Sequence, residues 1–290
     1  MDRKTIFITG ATQGLGKETA IGLAKQGHRL VLHGRNNSKL HEVSDEIKTL
    51  SGNNNIDTII ADLSLLADTK RMTDEFLSRY EKLDVLINNA GMYPAKKRET
   101  TREGVEESIA VNLLSPFLIM QSMKPALLKS ESARIINVTS MMHRYAGRPD
   151  FSDIQFERRY SQMRIYGIAK LYLIWVTRLL SDMLKKRGVN NVTVNALHPG
   201  AVATYFGQEA YRSLVFKHIY KVVQNFMDTP EDGAKAIIYL ATSPEVENIT
   251  GEYFNKLGKI DKVNDRYWSL DNGKLIVDYC MEVIEQALAK

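Results

Sequence analysis

Two side chains on one predicted helix could carry acid–base chemistry. Tyr166 and Lys170 stand four positions apart in a helical pattern that runs from residue 163 to 187, so they share one face of that helix. A free tyrosine has a pKa of about 10 and is a poor acid–base catalyst at neutral pH. A lysine ammonium held beside it favours the phenolate and lowers that pKa. We therefore expect Tyr166 to exchange a proton with a carbonyl or alcohol oxygen, although a Tyr-x-x-x-Lys pair on its own is more often a surface pair.

Two further polar residues could complete such a site. Ser140 follows a predicted strand at 134–138 and could hold the substrate oxygen next to the phenol. Asn112 lies inside a helix predicted at 101–123, where it could kink the helix and hold a water that links Lys170 to solvent. Each residue also has an ordinary interpretation, as a loop serine and as a polar defect in a helix. The hypothesis of a catalytic site therefore depends on the combination.

A glycine-rich segment near the start of the chain predicts a nucleotide site. Residues 9–16, Thr-Gly-Ala-Thr-Gln-Gly-Leu-Gly, follow the apolar run 6–8 and precede a helical pattern. Glycine removes side chains where a tight turn, a close-lying ligand and helix–strand packing would clash. The first amides of the helix then favour an anionic pyrophosphate. The residues expected to contact it are Gly10, Thr12, Gln13, Gly14, Leu15 and Gly16; an ordinary strand–helix turn is the alternative.

The end of the second predicted strand bears on which dinucleotide binds. An Asp or Glu at this point would bond the ribose 2′-hydroxyl of NAD. Here the strand at 29–33 leads into Arg35 and Asn36, and an arginine can pair with a 2′-phosphate through two parallel hydrogen bonds. We therefore expect NADP(H) to be preferred over NAD(H), with both residues in contact with it. The alternative for Arg35 is an exposed loop arginine.

Strands and helices alternate along the chain about seven times, which predicts the fold class. The strand cores are apolar and often β-branched, as in strands buried on both faces. The pattern indicates an α/β protein with a Rossmann-type doubly wound parallel sheet of about seven strands, in three α/β/α layers. The predicted strands are 6–8, 29–33, 57–61, 85–87, 134–138, 192–196 and 252–254. The predicted helices include 38–50 capped by Ser38, 65–80, 101–123, 163–187, one or two within 205–226, 231–241 capped by Thr229, and 278–288.

Nearly every candidate residue falls at the carboxyl end of a strand, the edge along which such sheets bind ligands. Asp62 and Leu63 follow the third strand in this way. The carboxylate of Asp62 could bond the adenine amino group, or it could be the acid at the start of the next helix. We expect residues 1–290 to form a single dinucleotide-binding and catalytic domain with an insert at 141–162, a substrate-side segment at 205–228 and a C-terminal extension at 256–290.

Composition narrows the class of protein. The 290 residues are 44% hydrophobic and 25% charged, which is ordinary for a globular protein. The formal net charge of +5 and short, scattered basic clusters indicate solvated surface charge rather than nucleic-acid binding. No apolar run approaches the ~20 residues of a membrane span, and the single cysteine suits a reducing compartment. We therefore expect a cytoplasmic protein without a membrane span, and no metal site because no His or Cys cluster has ligand spacing.

Taken together, these motifs resemble those of the short-chain dehydrogenase/reductase family. The resemblance covers about residues 4–255 and is carried by 9–16, Asp62-Leu63, 88–91 (Asn-Asn-Ala-Gly), Asn112, Ser140, 166–170 (Tyr-Gly-Ile-Ala-Lys) and Pro199-Gly200 with Thr204. It implies a catalytic tetrad of Asn112, Ser140, Tyr166 and Lys170. It also implies that Asn89, Ala90 and Gly91 support the central strand and flank the cofactor. The nicotinamide end would be contacted by Pro199, Gly200, Val202 and Thr204, with Thr204 on the carboxamide.

The long spacing between Ser140 and Tyr166 resembles one branch of that family, the retinol dehydrogenases and protochlorophyllide reductases. Residues 16–20, 34–36 and 251–254 resemble the same branch. The branch prefers NADP(H) and reduces apolar aldehydes and ketones, retinoids among them. Because this chain lacks the branch's membrane anchor, we expect a soluble carbonyl reductase rather than a membrane retinoid enzyme.

The expected function is that of an NADP(H)-dependent oxidoreductase that interconverts a carbonyl and an alcohol by hydride transfer. The predicted substrate contacts are Tyr93, Ser140, Met142 and Tyr205, because Met and aromatic side chains form an adaptable apolar wall; ordinary packing is the alternative for each. A non-catalytic cofactor sensor on the same scaffold is the competing hypothesis, although a sensor has no need of Tyr166 and Lys170.

The oligomeric state stays open at this point, and a homodimer or a homotetramer is considered. Family members often pair through the helices that carry Asn112 and Tyr166. The apolar residues 171, 173, 175 and 176 could serve such an interface, or they could be buried in this chain's own core.

Overall fold

A single parallel sheet organises the protein, for which a computed structural model describes residues 3–202 and 228–289. Its strands are β1 Thr5–Ile8, β2 Arg29–Gly34, β3 Ile56–Ile60, β4 Val85–Asn88, β5 Ala133–Val138, β6 Val192–Leu197 and β7 Tyr253–Phe254. All neighbours pair in parallel, in the order β3-β2-β1-β4-β5-β6-β7. The chain direction across the sheet reverses between β1 and β4, which is the switch point where doubly wound sheets bind ligands. The predicted α/β Rossmann-type fold is thereby confirmed.

Helices cover both faces of this sheet. They are α1 Gly14–Lys25, α2 Asn37–Ser51, α3 Leu66–Arg79, α4 Glu107–Ile109, a π-helical turn Ala110–Leu114, α5 Ser115–Ser122, α6 Lys124–Leu128, α7 Gln162–Lys186, α8 Pro230–Thr242 and α9 Leu270–Leu288. Within the ranges that the structure describes, no helix is both long and apolar enough to cross a membrane. In the same ranges, no group of three or more His, Cys, Asp or Glu is arranged to hold a metal ion.

Two hydrophobic cores lie on opposite faces because successive side chains of a strand point to opposite sides. Ile6 and Ile8 of β1 pack in the core that contains Leu23 of α1. Phe7, between them, packs in the other core, where its ring meets the ring of Phe76 of α3 edge-on at 5.4 Å. The near-continuous apolar character of the strands follows from burial on both faces.

Helix starts are where the structure departs most from the sequence prediction. Asn36, not Ser38, caps α2, because its extended backbone lets the side chain accept a hydrogen bond from the amide of Lys39 at 3.0 Å. Thr229 caps α8, as predicted, and Pro230 is the first residue of the helix. The last helix begins at Leu270 rather than at residue 278, with Ser269 as its cap. The helices predicted within 205–226 lie outside the described residues.

The helix predicted at 101–123 begins later, at Glu107. Gly104 has a φ of +84°, and an antiparallel bridge between Thr100 and Glu106 closes a turn in front of the helix. The buried carboxylate of Glu106 then accepts hydrogen bonds from the amide of Ile109 and the hydroxyl of Ser108, both at 2.7 Å. The left-handed glycine therefore ends the helical conformation on its N-terminal side.

A buried polar chain fixes α7 on the sheet. The side-chain amide of Asn88 on β4 donates to the side-chain oxygen of Asn137 on β5 at 2.8 Å. The amide of Asn137 in turn donates to the hydroxyl of Thr177 on α7 at 2.9 Å. Because both bonds are shielded from water, they set the position of the helix that carries Tyr166 and Lys170.

Candidate active site

The glycine turn between β1 and α1 is shaped to let other groups come close. Gly10 and Gly14 have φ values of +66° and +55°, which side chains other than glycine rarely adopt. A Cβ on Gly16 would lie 2.2 Å from the carbonyl oxygen of Gly10. Helix α1 begins with no side-chain cap and no acidic residue in its first turn. Its first amides are therefore available to an anionic group, as the sequence predicts for a pyrophosphate.

Asn89 and Thr9 join this turn to the end of β4. The side-chain amide of Asn89 donates to the carbonyl oxygens of Thr9 and Gly10 at 2.9 and 3.1 Å. The hydroxyl of Thr9 accepts from the amides of Asn89 and Ala90, both at 3.0 Å. The resemblance implies a supporting role for residues 89–91, and these bonds describe how Asn89 performs it.

His33 also holds the glycine turn, and sequence reasoning missed it. This buried residue of β2 accepts a hydrogen bond on Nδ1 from the amide of Gly10 at 3.1 Å, and its Nε2 donates to the carbonyl of Ala61 at 3.0 Å. Burial lowers the pKa of His33 to about 4, so the ring is neutral and keeps an acceptor nitrogen at neutral pH. A polar residue inside an apolar strand was the signal available in the sequence.

Two cations lie near the glycine turn at the end of β2. Arg35 and Asn36 are exposed, and Arg35 pairs with no carboxylate in the described part of the chain. Lys39, in the first turn of α2, donates from Nζ to the side-chain oxygen of Gln13 at 2.8 Å. Lys39 was not singled out from the sequence, although it stands one helical turn beyond Arg35. The pair forms a positive rim beside the turn where a second phosphate could bind.

The end of β2 also touches the glycine turn directly. A Cβ on Gly34 would lie 2.5 Å from the side-chain methyl of Thr12. Leu15 is half-buried in the same turn. This close approach brings the residues after β2 to the segment that faces the expected pyrophosphate.

Asp62 and Leu63 follow β3 on the same sheet edge. Leu63 is buried, and Asp62 is half-buried, with one carboxylate oxygen accepting from the amide of Ser64 at 2.9 Å. The first amides of α3 are bonded instead by Glu103, which accepts from Leu66 and Ala67 at 2.7 and 3.0 Å. The alternative interpretation of Asp62, as the acid that starts the next helix, is therefore not what the structure shows.

Ser140 and Tyr166 meet at the carboxyl end of β5. The Ser140 side chain lies close enough to the phenol to affect its pKa, and the hydroxyl oxygen of Ser140 accepts from the amide of Met142 at 3.2 Å. The Tyr166 side chain is buried, with 7% of its surface exposed. The ring of Tyr93 lies against it, with centroids 5.5 Å apart, while Met142 is half-buried beside Ser140. Three of the four predicted substrate contacts are thus close together.

Lys170 lies one turn further along α7 and faces the same space. Its Nζ lies 5.9 Å from the centre of the Tyr166 ring and donates to the carbonyl of Val138 at 3.1 Å. A Cβ on Gly91 would stand 3.3 Å from that Nζ and 3.0 Å from the side-chain oxygen of Asn112. The missing side chain of Gly91 therefore leaves room next to the ammonium and the amide, in the segment that follows β4.

Asn112 occupies a π-helical turn, so the expected local irregularity in this helix is present. Its side-chain amide donates to the carbonyl oxygens of Ser108 and Met92, both at 2.9 Å. Its side-chain oxygen accepts from the amide of Met92 at 3.2 Å. Asn112 thus fastens the segment after β4 to the helix, in addition to facing Lys170.

Burial dominates the electrostatics of this pair in the free protein. Desolvation raises the pKa of Tyr166 to about 12, and the nearby hydroxyl of Ser140 opposes that shift in part. Desolvation lowers the pKa of Lys170 to about 8. The sequence prediction of a phenol with a lowered pKa is therefore not met here, because the ammonium lies some distance from the hydroxyl while both groups are shielded from water.

The residues after β6 lie at the other end of the site along this sheet edge. Pro199 is buried, and Gly200 has a φ of +89° and donates its amide to Nδ1 of His198 at 3.3 Å. Val202 forms a parallel bridge with Asp228. Thr204 and Tyr205, which were predicted to contact the cofactor and the substrate, lie outside the described residues. The same holds for most of the substrate-side segment 205–228.

The apolar residues considered for a dimer interface are part of this chain's own core. Leu171, Leu173, Trp175 and Val176 are each at most 1% exposed. The ring of Trp175 packs against that of Trp268, just before α9, with centroids 5.7 Å apart. Their burial within the chain accounts for the apolar stripe of α7.

The site can be compared with known proteins. Residues 4–214 match the family model of the short chain dehydrogenases. Human retinol dehydrogenase 14 is 35% identical over 268 residues, which cover 88% of this chain and 78% of that protein. Human polyprenol dehydrogenase is 32% identical over 262 residues, covering 86% of this chain and 76% of that protein.

Solved structures show the same fold. A Shigella flexneri protein described as a short chain dehydrogenase and complexed with NADP superposes with a TM-score of 0.70 at 22% identity, over 89% of this chain and 98% of its own. A protein from Mycobacterium paratuberculosis superposes with a TM-score of 0.76 at 24% identity, over 97% and 93% of the two chains. From the match to the family model and the identity to the retinol dehydrogenases, this chain belongs to the short-chain dehydrogenase/reductase family.

Proposed function

We propose that this protein is an NADP(H)-dependent oxidoreductase that reduces an apolar aldehyde or ketone to the alcohol, with Tyr166 as the general acid. The observation that carries the proposal is the placement of the half-buried Ser140 hydroxyl against the buried phenol of Tyr166 beside Lys170, at the sheet edge that also holds the glycine turn. A cofactor sensor would not require this arrangement of a phenol, a hydroxyl and an ammonium.

The residues present fit a dinucleotide. The uncapped start of α1, which begins at the left-handed Gly14, offers amides to a pyrophosphate. Arg35, which pairs with no carboxylate among the described residues, and Lys39 supply positive charge for a 2′-phosphate. When bound, the reduced nicotinamide supplies a hydride. Lys170 lies next to Gly91, where it could hold the ribose hydroxyls.

The pKa values of the chain's own groups suit carbonyl reduction at neutral pH. Because the pKa of Tyr166 is about 12, the phenol keeps its proton and can give it to the carbonyl oxygen as negative charge develops there. The hydroxyl of Ser140 holds that oxygen beside the phenol. Lys170, charged below a pKa of about 8, stabilises the phenolate that proton transfer leaves behind. The burial of Tyr166 and Lys170 strengthens these interactions.

The surroundings of Tyr166 favour an apolar substrate. Tyr93 stands beside the phenol and Met142 follows Ser140 closely, so both offer the site uncharged surface. The relatives named above act, by their names, on retinol and polyprenol, which are apolar alcohols. We therefore expect the substrate to be an extended apolar aldehyde such as retinaldehyde, or a similar ketone.

The test is the oxidation of NADPH, followed by its absorbance, with retinaldehyde and a series of aliphatic and aromatic carbonyl compounds. Tyr166→Phe should lower kcat by about a thousandfold, because it removes the general acid. The dissociation constant for NADPH, measured by fluorescence, should stay within about threefold, since the phenol is not needed to anchor the phosphates.

Tyr80→Phe is the matched control. Tyr80 lies at the C-terminal end of α3, and its hydroxyl donates to Asp57 on β3. That variant should keep full activity. Turnover by Tyr166→Phe at the rate of this control would contradict the proposed mechanism. NADPH binding without reduction of any carbonyl compound would favour the cofactor sensor.

A further inference from the structure

The start of the C-terminal extension folds back onto the site. Two segments are used below: the nicotinamide loop, residues 198–202, and the return turn, residues 255–261. The return turn is closed by hydrogen bonds from the amide of Asn255 to the carbonyl of Lys259 at 2.8 Å and from the amide of Asp261 to the carbonyl of Tyr253 at 2.7 Å. Because β7 lies beside β6, this turn reaches the nicotinamide loop.

Asp261 contacts two segments of the site, one after β5 and one after β6. One of its carboxylate oxygens lies 3.2 Å from Nε2 of His198, directly after β6. The same oxygen accepts from the guanidinium of Arg144 at 2.7 Å, four residues beyond Ser140. Asp261 therefore bridges the segment after Ser140 and the nicotinamide loop.

The bond to Asp261 fixes the tautomer of His198. A carboxylate accepts a hydrogen bond, so Nε2 carries the proton and Nδ1 keeps its lone pair. Nδ1 then accepts the amide of Gly200 at 3.3 Å. The ring is 4% exposed and stacks on Tyr253 with centroids 5.6 Å apart, so it has little freedom to turn. With the proton on Nδ1, two donors would face each other and the loop would lose this bond.

A second contact confines the loop on its other side. Lys256 of the return turn pairs with Asp228 at 2.7 Å. A Cβ on Gly200 would lie 2.6 Å from the carboxylate of Asp228 and 2.8 Å from the side chain of Lys256. The backbone of Gly200 thus lies between two polar pairs that involve the return turn, Lys256 with Asp228 and Asp261 with His198.

We propose that Asp261 is a positioning residue: by orienting His198 and pairing with Arg144, it holds the nicotinamide loop in register with Ser140. This inference rests on the proposed function, and it gives the C-terminal extension a role in the site. Groups that face a bound nicotinamide must be placed within a fraction of an ångström, because small displacements of reacting groups cost large factors in rate.

The first test uses the free protein and therefore does not depend on activity. In ¹⁵N-histidine NMR spectra, with the signal assigned by His198→Gln, wild-type His198 should show the tautomer protonated on Nε2. Asp261→Ala should shift the signal toward a mixture of tautomers. Asp261→Asn should stay close to the wild type, because the asparagine oxygen still accepts from Nε2. Asp265→Ala is the matched control, since that carboxylate also lies in the extension and pairs with an arginine, Arg178, but does not contact His198.

The second test is kinetic. Asp261→Ala should lower kcat by about tenfold while KM for NADPH stays within about threefold, because the phosphate-binding residues are untouched. Asp261→Asn should recover part of the loss. An unchanged tautomer together with a kcat equal to that of Asp265→Ala would overturn the inference. If no carbonyl compound is reduced by the wild type, the proposed function fails, and the NMR result still decides whether Asp261 orients His198.

Discussion

At the scale of single residues, removal from water sets the chemistry of the site. The phenol of Tyr166 and the ammonium of Lys170 are both buried, which raises the pKa of the first to about 12 and lowers that of the second to about 8. Both shifts favour the neutral form of each group, as desolvation does in general. The site is thereby prepared to donate a proton rather than to take one, which is the requirement for reducing a carbonyl compound.

The pH dependence of reduction should report Lys170. Below a pKa of about 8 its ammonium stabilises the developing phenolate; above it the charge is lost, while Tyr166 keeps its proton up to about 12. We expect kcat/KM for the carbonyl substrate to be flat near neutral pH and to fall above pH 8 by up to tenfold per unit. Lys170→Arg, which stays charged, should lose this inflection even at a reduced rate. A wild-type profile that is flat to pH 10 would contradict this role.

The coenzyme preference should depend on Arg35. Arg35→Ala should raise KM for NADPH by about tenfold or more and leave KM for NADH nearly unchanged, because a charge-assisted bond to a phosphate is lost. Lys39→Ala should act in the same direction. Lys48→Ala, at the far end of α2 where it pairs with Asp45, is the control and should change neither constant. Equal effects of Arg35→Ala on the two coenzymes would argue against 2′-phosphate binding.

At the scale of secondary-structure elements, the ends of two strands hold a glycine loop by the same hydrogen-bonding arrangement of a histidine. His33 on β2 and His198 after β6 each accept a glycine amide on Nδ1, from Gly10 and Gly200. Each ring donates from Nε2 to an oxygen, the carbonyl of Ala61 in one case and the carboxylate of Asp261 in the other. Both ends of the expected cofactor site therefore depend on neutral imidazole rings.

Stability should fall with acid through His33. Its pKa is about 4 in the folded protein, below the value of about 6.5 expected when unfolded, so its contribution is complete above pH 6.5 and is lost as the pH falls toward 4. At pH 5 the imidazole is protonated in the unfolded state and neutral in the folded state. This difference lowers the free energy of unfolding by about 2 kcal/mol. In urea titrations, the free energy of unfolding should fall less between pH 7 and pH 5 for His33→Gln than for the wild type. An equal loss in the two proteins would contradict the assignment.

The order of strands and helices and the positions of the candidate residues could be predicted from sequence, because apolar periodicity and glycine spacing are local signals. Helix starts were less predictable where two residues could cap, as with Asn36 and Ser38, or where a turn preceded the helix, as at Gly104. The contact between Asp261 and His198 joins residues 63 positions apart and leaves no local pattern. The raised pKa of Tyr166 depends on burial, which the four-residue spacing to Lys170 does not reveal.

At the scale of the whole molecule, the C-terminal helix α9 completes one of the two cores. Ile276, Cys280, Ile284 and Ala287 are buried with residues of α7 and α3. Trp175 and Trp268 meet at the same interface. Because α9 covers the apolar face of α7, the extension stabilises the helix that bears Tyr166 and Lys170.

The single cysteine should report whether α9 is docked. Burial raises the pKa of the Cys280 thiol, and its side chain is fully shielded, so a thiol reagent should label the native protein only when α9 opens. Ile276→Ala should cost about 2–5 kcal/mol of unfolding free energy and speed the labelling. Leu288→Ala, on the exposed side of α9, should change the unfolding free energy and the labelling rate only slightly. Rapid labelling of the wild type would show that α9 does not cover this core.

The two hydrogen bonds between Asn112 and Met92, with the third from Asn112 to Ser108, have a consequence for selectivity. They tie the backbone next to Tyr93, which lines the space beside Tyr166, to the helix that faces Lys170. An altered side chain at position 112 would therefore change the shape offered to incoming aldehydes along with the speed of turnover. Enzyme engineers who seek a new substrate range could begin with this asparagine and compare kcat/KM for a bulky and a slender aldehyde.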